Sequence, residues 1–469
     1  MSTALVWFRR DLRVHDNPAL VAAANDHERL VCVFCFEHPL LTGRHASPRR
    51  NAYLLDSLRD LDASLRVAGG RLAYRVGAPD HEIPSLAREL DARAVYWNRD
   101  YTAHAVARDA SVATALAASA IEAVSREGIA CAELDTIRTG AGRPYRVFTP
   151  FYRAWTDAPR RSPQPVPSRI ATPPALRVGR PPSRAELGID AAAVRVARRA
   201  GPGERTARGG IDAAMEVAGE YEEARDRLDR EGTTRLSAAL HFGCVSAREL
   251  EARLRRLRSA GAGALRRQLA WRDFWLQVIG EHPDNRHLEH DPRLRGMRWR
   301  RDPDSLLAWQ QGRTGYPLVD AGMRQLLAEG WMHGRARMLV ASFLSKNLLL
   351  DWRLGEAHFM RLLLDGDEAQ NNGNWQWAAS VGADAQPYFR VFSPTRQQRR
   401  FDPSGEYVRQ WVAELRRLPD RWLAEPWLAP ADVQHRSGCV IGRDYPAPVV
   451  DLRASADEAR VRFAASIRS

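Results

Sequence analysis

The sequence predicts an α/β N-terminal domain on a parallel sheet (residues 1–130), a long linker (131–210) and an all-α domain (211–469). Three observations carry this. Short apolar runs alternate with helical patterns over the first hundred residues. Prolines interrupt the chain repeatedly between residues 158 and 182, where neither helix nor central strand is sustained. Beyond residue 211, apolar residues recur almost entirely at helical spacing.

The elements follow in order. Residues 4–8 form a first apolar run, followed by an alanine-rich helix, and residues 30–36 form a second run. Residues 52–68 have helical periodicity and stop at Gly69 and Gly70. Residues 71–76 and 94–97 read as further strands with a helix at 81–90 between them. No GxGxxG follows the first strand and no GxxxxGK[ST] exists, so neither dinucleotide fingerprint nor P-loop is supported. In the second half, residues 245–257, 265–279, 318–329, 335–349 and 356–364 read as helices.

Cys32 and Cys35 have CxxC spacing but sit inside a strand, where alternation sends the two thiols to opposite faces. They read as core, and no metal site is expected. The five scattered cysteines fit a reducing, cytoplasmic setting. No signal peptide or membrane span is read. Net charge is +13, and Lys346 is the only lysine among 70 basic residues. Arginine's planar fork suits phosphate, so the surplus favours a polyanionic partner.

Eleven of the fourteen tryptophans lie at or beyond Trp271, a concentration that suits base stacking or electron transfer as well as core packing. Trp375 and Trp377 in Asn371-Asn-Gly-Asn-Trp-Gln-Trp377 cannot share a helix face. Asp365-Gly-Asp367 precedes them. Arg335 and Arg337 open an upstream helix on different faces, and Arg337 could pair with Asp365 across a cofactor.

Together with Val6-Trp-Phe-Arg-Arg-Asp-Leu-Arg13, Thr233-Thr-Arg-Leu-Ser237, Trp271-Arg-Asp-Phe274, Thr314-Gly-Tyr-Pro317 and Gly330-Trp-Met-His333, these stretches form an ordered series. Over nearly its whole length the chain resembles the DNA photolyase/cryptochrome family, closest to the class I enzymes acting on cyclobutane pyrimidine dimers. The resemblance implies an antenna-type α/β domain and a helical domain that binds FAD. It implies a carbon–carbon lyase that repairs dimers in UV-damaged DNA by electron transfer from excited reduced FAD to a flipped-out dimer. A monomer is expected.

The resemblance also assigns residues. Tyr221, Thr234, Arg235, Leu236 and Ser237 match positions holding the FAD phosphates and ribose. Arg272 and Asn371 match positions beside the flavin ring, with Gln268 near them. Arg337, Asp365 and Asp367 match the polar set at the flavin edge. Trp375, Trp352 and Trp299 match the electron-transfer chain to the surface, with Trp309 a competitor for the outermost place. Trp271, Trp377 and Met338 match the walls of the damaged-base pocket, and Arg225, Arg335 and Arg390 match DNA-facing positions. Arg396, Arg399 and Arg400 extend that basic run.

The chain departs from the class I pattern at two places. Gln268 stands where a glutamate is usual and cannot supply a proton. Gly334 stands where an asparagine is usual and supplies no side chain. The (6-4) branch needs histidines at Gly334 and Met338, and neither is present. A (6-4) photolyase and a cryptochrome-like blue-light photoreceptor remain the alternative readings. His104-Ala105 replaces the Asn-Glu pair of folate-binding members. The second antenna chromophore therefore stays open between a deazaflavin, a folate and none.

Overall fold

The computed structural model describes residues 2–468. Strands β1 (Thr3–Phe8), β2 (Arg29–Phe36), β3 (Leu72–Val76), β4 (Ala92–Asn98) and β5 (Glu122–Arg126) form one parallel sheet in the order β3-β2-β1-β4-β5. Their continuous apolar runs follow from burial on both faces, as parallel sheets require. Leu5, Trp7, Val31, Val33, Cys35, Val95 and Trp97 pack into one core face. Cys32, of opposite parity, lies outside that cluster, and all five cysteines are buried and free. The sequence reading did not anticipate β5 because four of its five residues are exposed, leaving only Val124 as signal.

The expected helices at 52–68 and 81–90 appear as Pro48–Val67 and Pro79–Glu89. Proline opens both, where a missing N–H costs nothing. An unanticipated helix, Ala103–Ala117, is capped by Thr102, whose hydroxyl accepts from the Ala105 amide.

Residues 158–190 contain no helix or strand, as their prolines dictate. Backbone hydrogen bonds from Ile170 N to Ala68 O and from Tyr74 N to Val178 O stitch this segment down. The expected linker is nevertheless partly helical, with Phe148–Asp157, Ala191–Arg199 and the start of Glu204–Val217 inside it. Asp190 accepts from the Ala193 amide and starts the second of these.

Contacts divide the chain into two compact units that interleave in sequence. One comprises Met1–Gly219, Thr234–Pro283 and Leu364–Ala369, and the other Glu220–Thr233, Asp284–Leu363 and Gln370–Ser469. The helices between 234 and 283 therefore group with the sheet. In this first unit, Asp273 of the Trp271-Arg-Asp-Phe274 stretch is wholly buried. It accepts from the Cys131 and Ala132 amides and from the Trp155 indole N–H at 2.9 Å.

The second unit is built from helices around a core containing Trp309, Trp352, Trp375, Phe343 and Phe359. Its Thr314-Gly-Tyr-Pro317 stretch is a turn held by buried Asp320, which accepts from Thr314 N and Oγ1 and from Gly315 N. The single helix expected over 335–349 is two segments. Gly334–Ser342 is α-helical and Phe343–Asn347 forms a π turn, with Leu349 left-handed at φ 55°. The Ser345 hydroxyl donates back to Ala341 O, a contact that bends helices. Among the described residues no helix is long and apolar enough to cross a membrane.

Gly243 ends the Ser237–Phe242 helix at φ 66°, and a Cβ there would lie 2.1 Å from the Arg10 carbonyl. Gly243→Ala is expected to cost about 2–4 kcal/mol, read as a fall in melting temperature; an unchanged melt would show the contact to be soft.

Candidate functional site

In the first unit, the Thr233-Thr-Arg-Leu-Ser237 loop turns sharply into the Ser237–Phe242 helix. Arg235 sits at φ 49°, left-handed for a residue with a Cβ. Such strain gathers at ligand sites, because the surrounding structure must maintain it. The Ser237 hydroxyl oxygen is buried without a protein partner, while Leu236 packs into the core. Thr234 is half-buried and Arg235 exposed. An orphaned hydroxyl on a strained loop suits a phosphate or ribose oxygen.

Asp367 is 3% exposed and forms an ion pair with Arg10, whose Nε donates to His241 O. His241 Nδ1 lies 3.6 Å from an Asp367 carboxylate oxygen. Burial lowers the His241 pKa against the opposing pull of Asp367. Asp367 therefore carries a compensated charge. Asp365 is also buried; its charge opposes the burial that brings the Arg50 pKa down to about 10. Arg272 donates to Ile129 O at 2.8 Å and Leu240 O at 3.4 Å.

Trp271 stacks on Phe148 with ring centroids 3.6 Å apart and planes 5° from parallel. One face of its indole is thus committed to protein. Gln268, one turn earlier on the same helix, is exposed.

In the second unit, Asn371 is buried and its amide nitrogen donates to both the carbonyl and a carboxylate oxygen of Glu356, each at 3.0 Å. With Nδ2 occupied, the amide is oriented and offers Oδ1 to any further partner. Arg337 donates through Nε to Met332 O. Tyr221 is buried, which raises its phenol pKa. Arg225 has its Nε buried without a partner.

Trp375 is 2% exposed and meets Phe359 and Trp309 edge to face, at 5.0 and 6.0 Å. Trp352 is fully buried; its indole N–H points to Glu289 Oε1 at 3.3 Å, and the Arg353 guanidinium lies 4.7 Å above the ring. Arg353 is itself paired with Glu289 at 2.8 Å. Trp299 is partly buried against Phe463. Trp309 has no exposed surface and donates to Val340 O, which removes it as a candidate for the outermost relay position.

Trp377 and Met338 are half-buried, and Gly334 is exposed at the first turn of its helix. His333 caps that helix, accepting from the Arg335 amide through Nδ1. Arg335 is tied to Asp226 at 2.6 Å and lies 4.2 Å over the Phe401 ring, so a phosphate must compete with those partners. Arg390 is exposed, whereas Arg399 is paired with Glu425.

A family model described as the FAD binding domain of DNA photolyase matches residues 265–465, and a DNA photolyase model matches residues 4–170. A deoxyribodipyrimidine photo-lyase of Streptomyces griseus is 41% identical over 99% of this chain and 98% of its own. The chain belongs to the DNA photolyase family. A class III photolyase from Agrobacterium tumefaciens matches the structure with a TM-score of 0.94, at 34% identity, over 100% of this chain and 98% of that one. A Synechocystis cryptochrome matches at 0.89 and 29% identity, over 98% and 99%.

Sequence reasoning missed Glu356, Glu289, Arg10 and His241, which act through partners distant in sequence. Gly355 lies just before the helix expected at 356–364 and inside the observed helix Trp352–Leu362. A Cβ there would lie 2.1 Å from the Trp375 ring. Gly355→Ala is expected to cost about 1–3 kcal/mol by overpacking, and less in a Trp375→Phe background, whose smaller ring vacates that space. Equal melting-temperature losses in both backgrounds would refute the fit.

Proposed function

We propose that this chain is a light-driven carbon–carbon lyase that repairs cyclobutane pyrimidine dimers in UV-damaged DNA, acting as a cytoplasmic monomer. The oriented Asn371 amide, beside a buried tryptophan cluster in an FAD-binding fold, carries this reading.

FAD fits the residues present. Tyr221, Thr234, Arg235, Leu236 and the orphaned Ser237 hydroxyl would hold its phosphates and ribose. Arg272, Arg337, Asn371, Asp365 and Asp367 would face its ring, with Gln268 near by. Asp367 enters already neutralised by Arg10, so the carboxylate adds little net charge there. Glu356 holds the Asn371 amide in one orientation, so its acceptor oxygen needs no reorganisation when a donor arrives. Bound there, reduced FAD would supply the light-excited one-electron donor that dimer opening needs.

Trp375, Trp352 and Trp299 would pass electrons inward to restore the reduced cofactor. Glu289, accepting from the Trp352 indole, stabilises positive charge on that ring and offsets Arg353 above it. By the family resemblance, Trp271, Trp377, Met338 and Gly334 would receive the dimer, with Arg225, Arg335 and Arg390 on the phosphates. Gln268 can donate an amide hydrogen to a thymine carbonyl but no proton. The sequence resemblance favours a class I assignment, while Gln268 and Gly334 depart from that pattern and the structural likeness to a class III photolyase leaves the class to experiment.

Blue light is expected to remove dimers from a duplex oligonucleotide, with no loss in the dark and none from a (6-4) duplex. Photoreduction of the flavin without loss of dimers would favour a cryptochrome-like photoreceptor. Trp375→Phe is expected to abolish flavin photoreduction while chemically pre-reduced protein still repairs; unchanged photoreduction would remove Trp375 from the relay. Affinity for damaged duplex should fall steeply with salt, as arginine–phosphate contacts require.

A further inference from the structure

Lys346, the only lysine in the chain, is fully buried in the π turn Phe343–Asn347. A buried ammonium is expensive unless it secures something. Its Nζ donates to the Arg390 carbonyl at 3.0 Å, its one hydrogen bond among the described residues. Gln386 Nε2 donates to the same carbonyl at 3.3 Å. The Arg390 amide closes a turn on Pro387 O, and the Gln386 amide donates to Trp377 O. The turn is therefore fastened at one end to a proposed pocket wall and at the other to Lys346. Between these points Tyr388 stacks on Phe463, while Phe389 and Arg390 stand exposed. Burial, with the nearby Arg390 charge, brings the Lys346 pKa down to about 7. Single-turn π insertions are frequent at functional sites, because they re-aim side chains.

We propose that Lys346 is a positioning residue for damaged DNA: it clamps the Arg390 carbonyl and so fixes the turn that presents Arg390 to the phosphate backbone. This rests on the reading of Arg390 as a DNA contact. The ammonium is committed to a backbone carbonyl, so its loss should act on binding alone.

The test uses FAD-loaded full-length Lys346→Met, which exchanges a buried charge for an apolar chain of similar length and is expected to fold. Gln386→Leu, which removes the second donor to the same carbonyl, serves as an independent variant. Each is expected to weaken binding to a dimer-containing duplex roughly tenfold, the equivalent of about one hydrogen bond. The repair rate at saturating DNA, the flavin spectrum and photoreduction should stay at the wild-type level. Arg390→Ala should weaken binding similarly, and its combination with Lys346→Met should lose little more than either alone. Wild-type affinity in both clamp variants, a fall in the saturated rate, or fully additive losses would each overturn the proposal. Unchanged binding by Arg390→Ala would instead refute Arg390 as a DNA contact.

Discussion

The first compact unit depends on one buried guanidinium. Arg13 is 2% exposed and donates to the carbonyls of Asp16, Gly128 and Gly243, groups 3, 115 and 230 residues away in sequence. Burial pushes its pKa down against the pull of Asp16 and Asp11, but arginine stays charged over the working range. Three carbonyls that would otherwise lose their water thereby gain a charged donor. The Gly243 carbonyl is held at the close approach that places the preceding helix end against Arg10. Arg10 in turn donates to His241 O and pairs with Asp367. A fold-holding contact and the charge that neutralises Asp367 are thus neighbours on one backbone segment, the arginine-bearing stretch that leaves β1.

The second unit places easily oxidised rings in a core and then corrects their electrostatics. Trp352 lies beneath a cation, which alone would disfavour positive charge on the indole. Glu289 cancels this by pairing with the same cation and accepting from the ring N–H. Trp375 is instead bounded by the rings of Phe359 and Trp309. The two rings thus sit in different electrostatic surroundings, a gradient set by a single glutamate and its arginine.

Local pattern and long-range contact separate cleanly in what the sequence revealed. β1 to β4 were legible because apolar runs bounded by turn residues mark strands covered on both faces. β5 was not, because an exposed edge strand has almost no apolar signature. The helices of the second half were legible from periodicity, but the break at Ser342 was not, since a π turn changes hydrogen bonding without changing composition. Asn371, Asp367, Ser237 and Trp375 were singled out as candidates because each sits in a motif. Their supports were not. Glu356 precedes Asn371 by 15 residues and Arg10 precedes Asp367 by 357, separations that no periodicity encodes. Within the expected linker, residues 158–190 are irregular as their prolines indicated, but the Phe148–Asp157 helix before them was not legible, and the Ala191–Arg199 helix after them starts where Asp190 supplies a cap.

Gly334 has no atom within 4 Å of where a Cβ would stand. Its neighbour His333, not Gly334, provides the helix cap. The position is thus decoupled from folding: a side chain added here meets open space. Trp271, which is stacked, and Arg335, which is paired, lack this freedom. Position 334 thus lies on a neutral network of equally stable sequences, where a side chain can be gained or lost without repacking the scaffold.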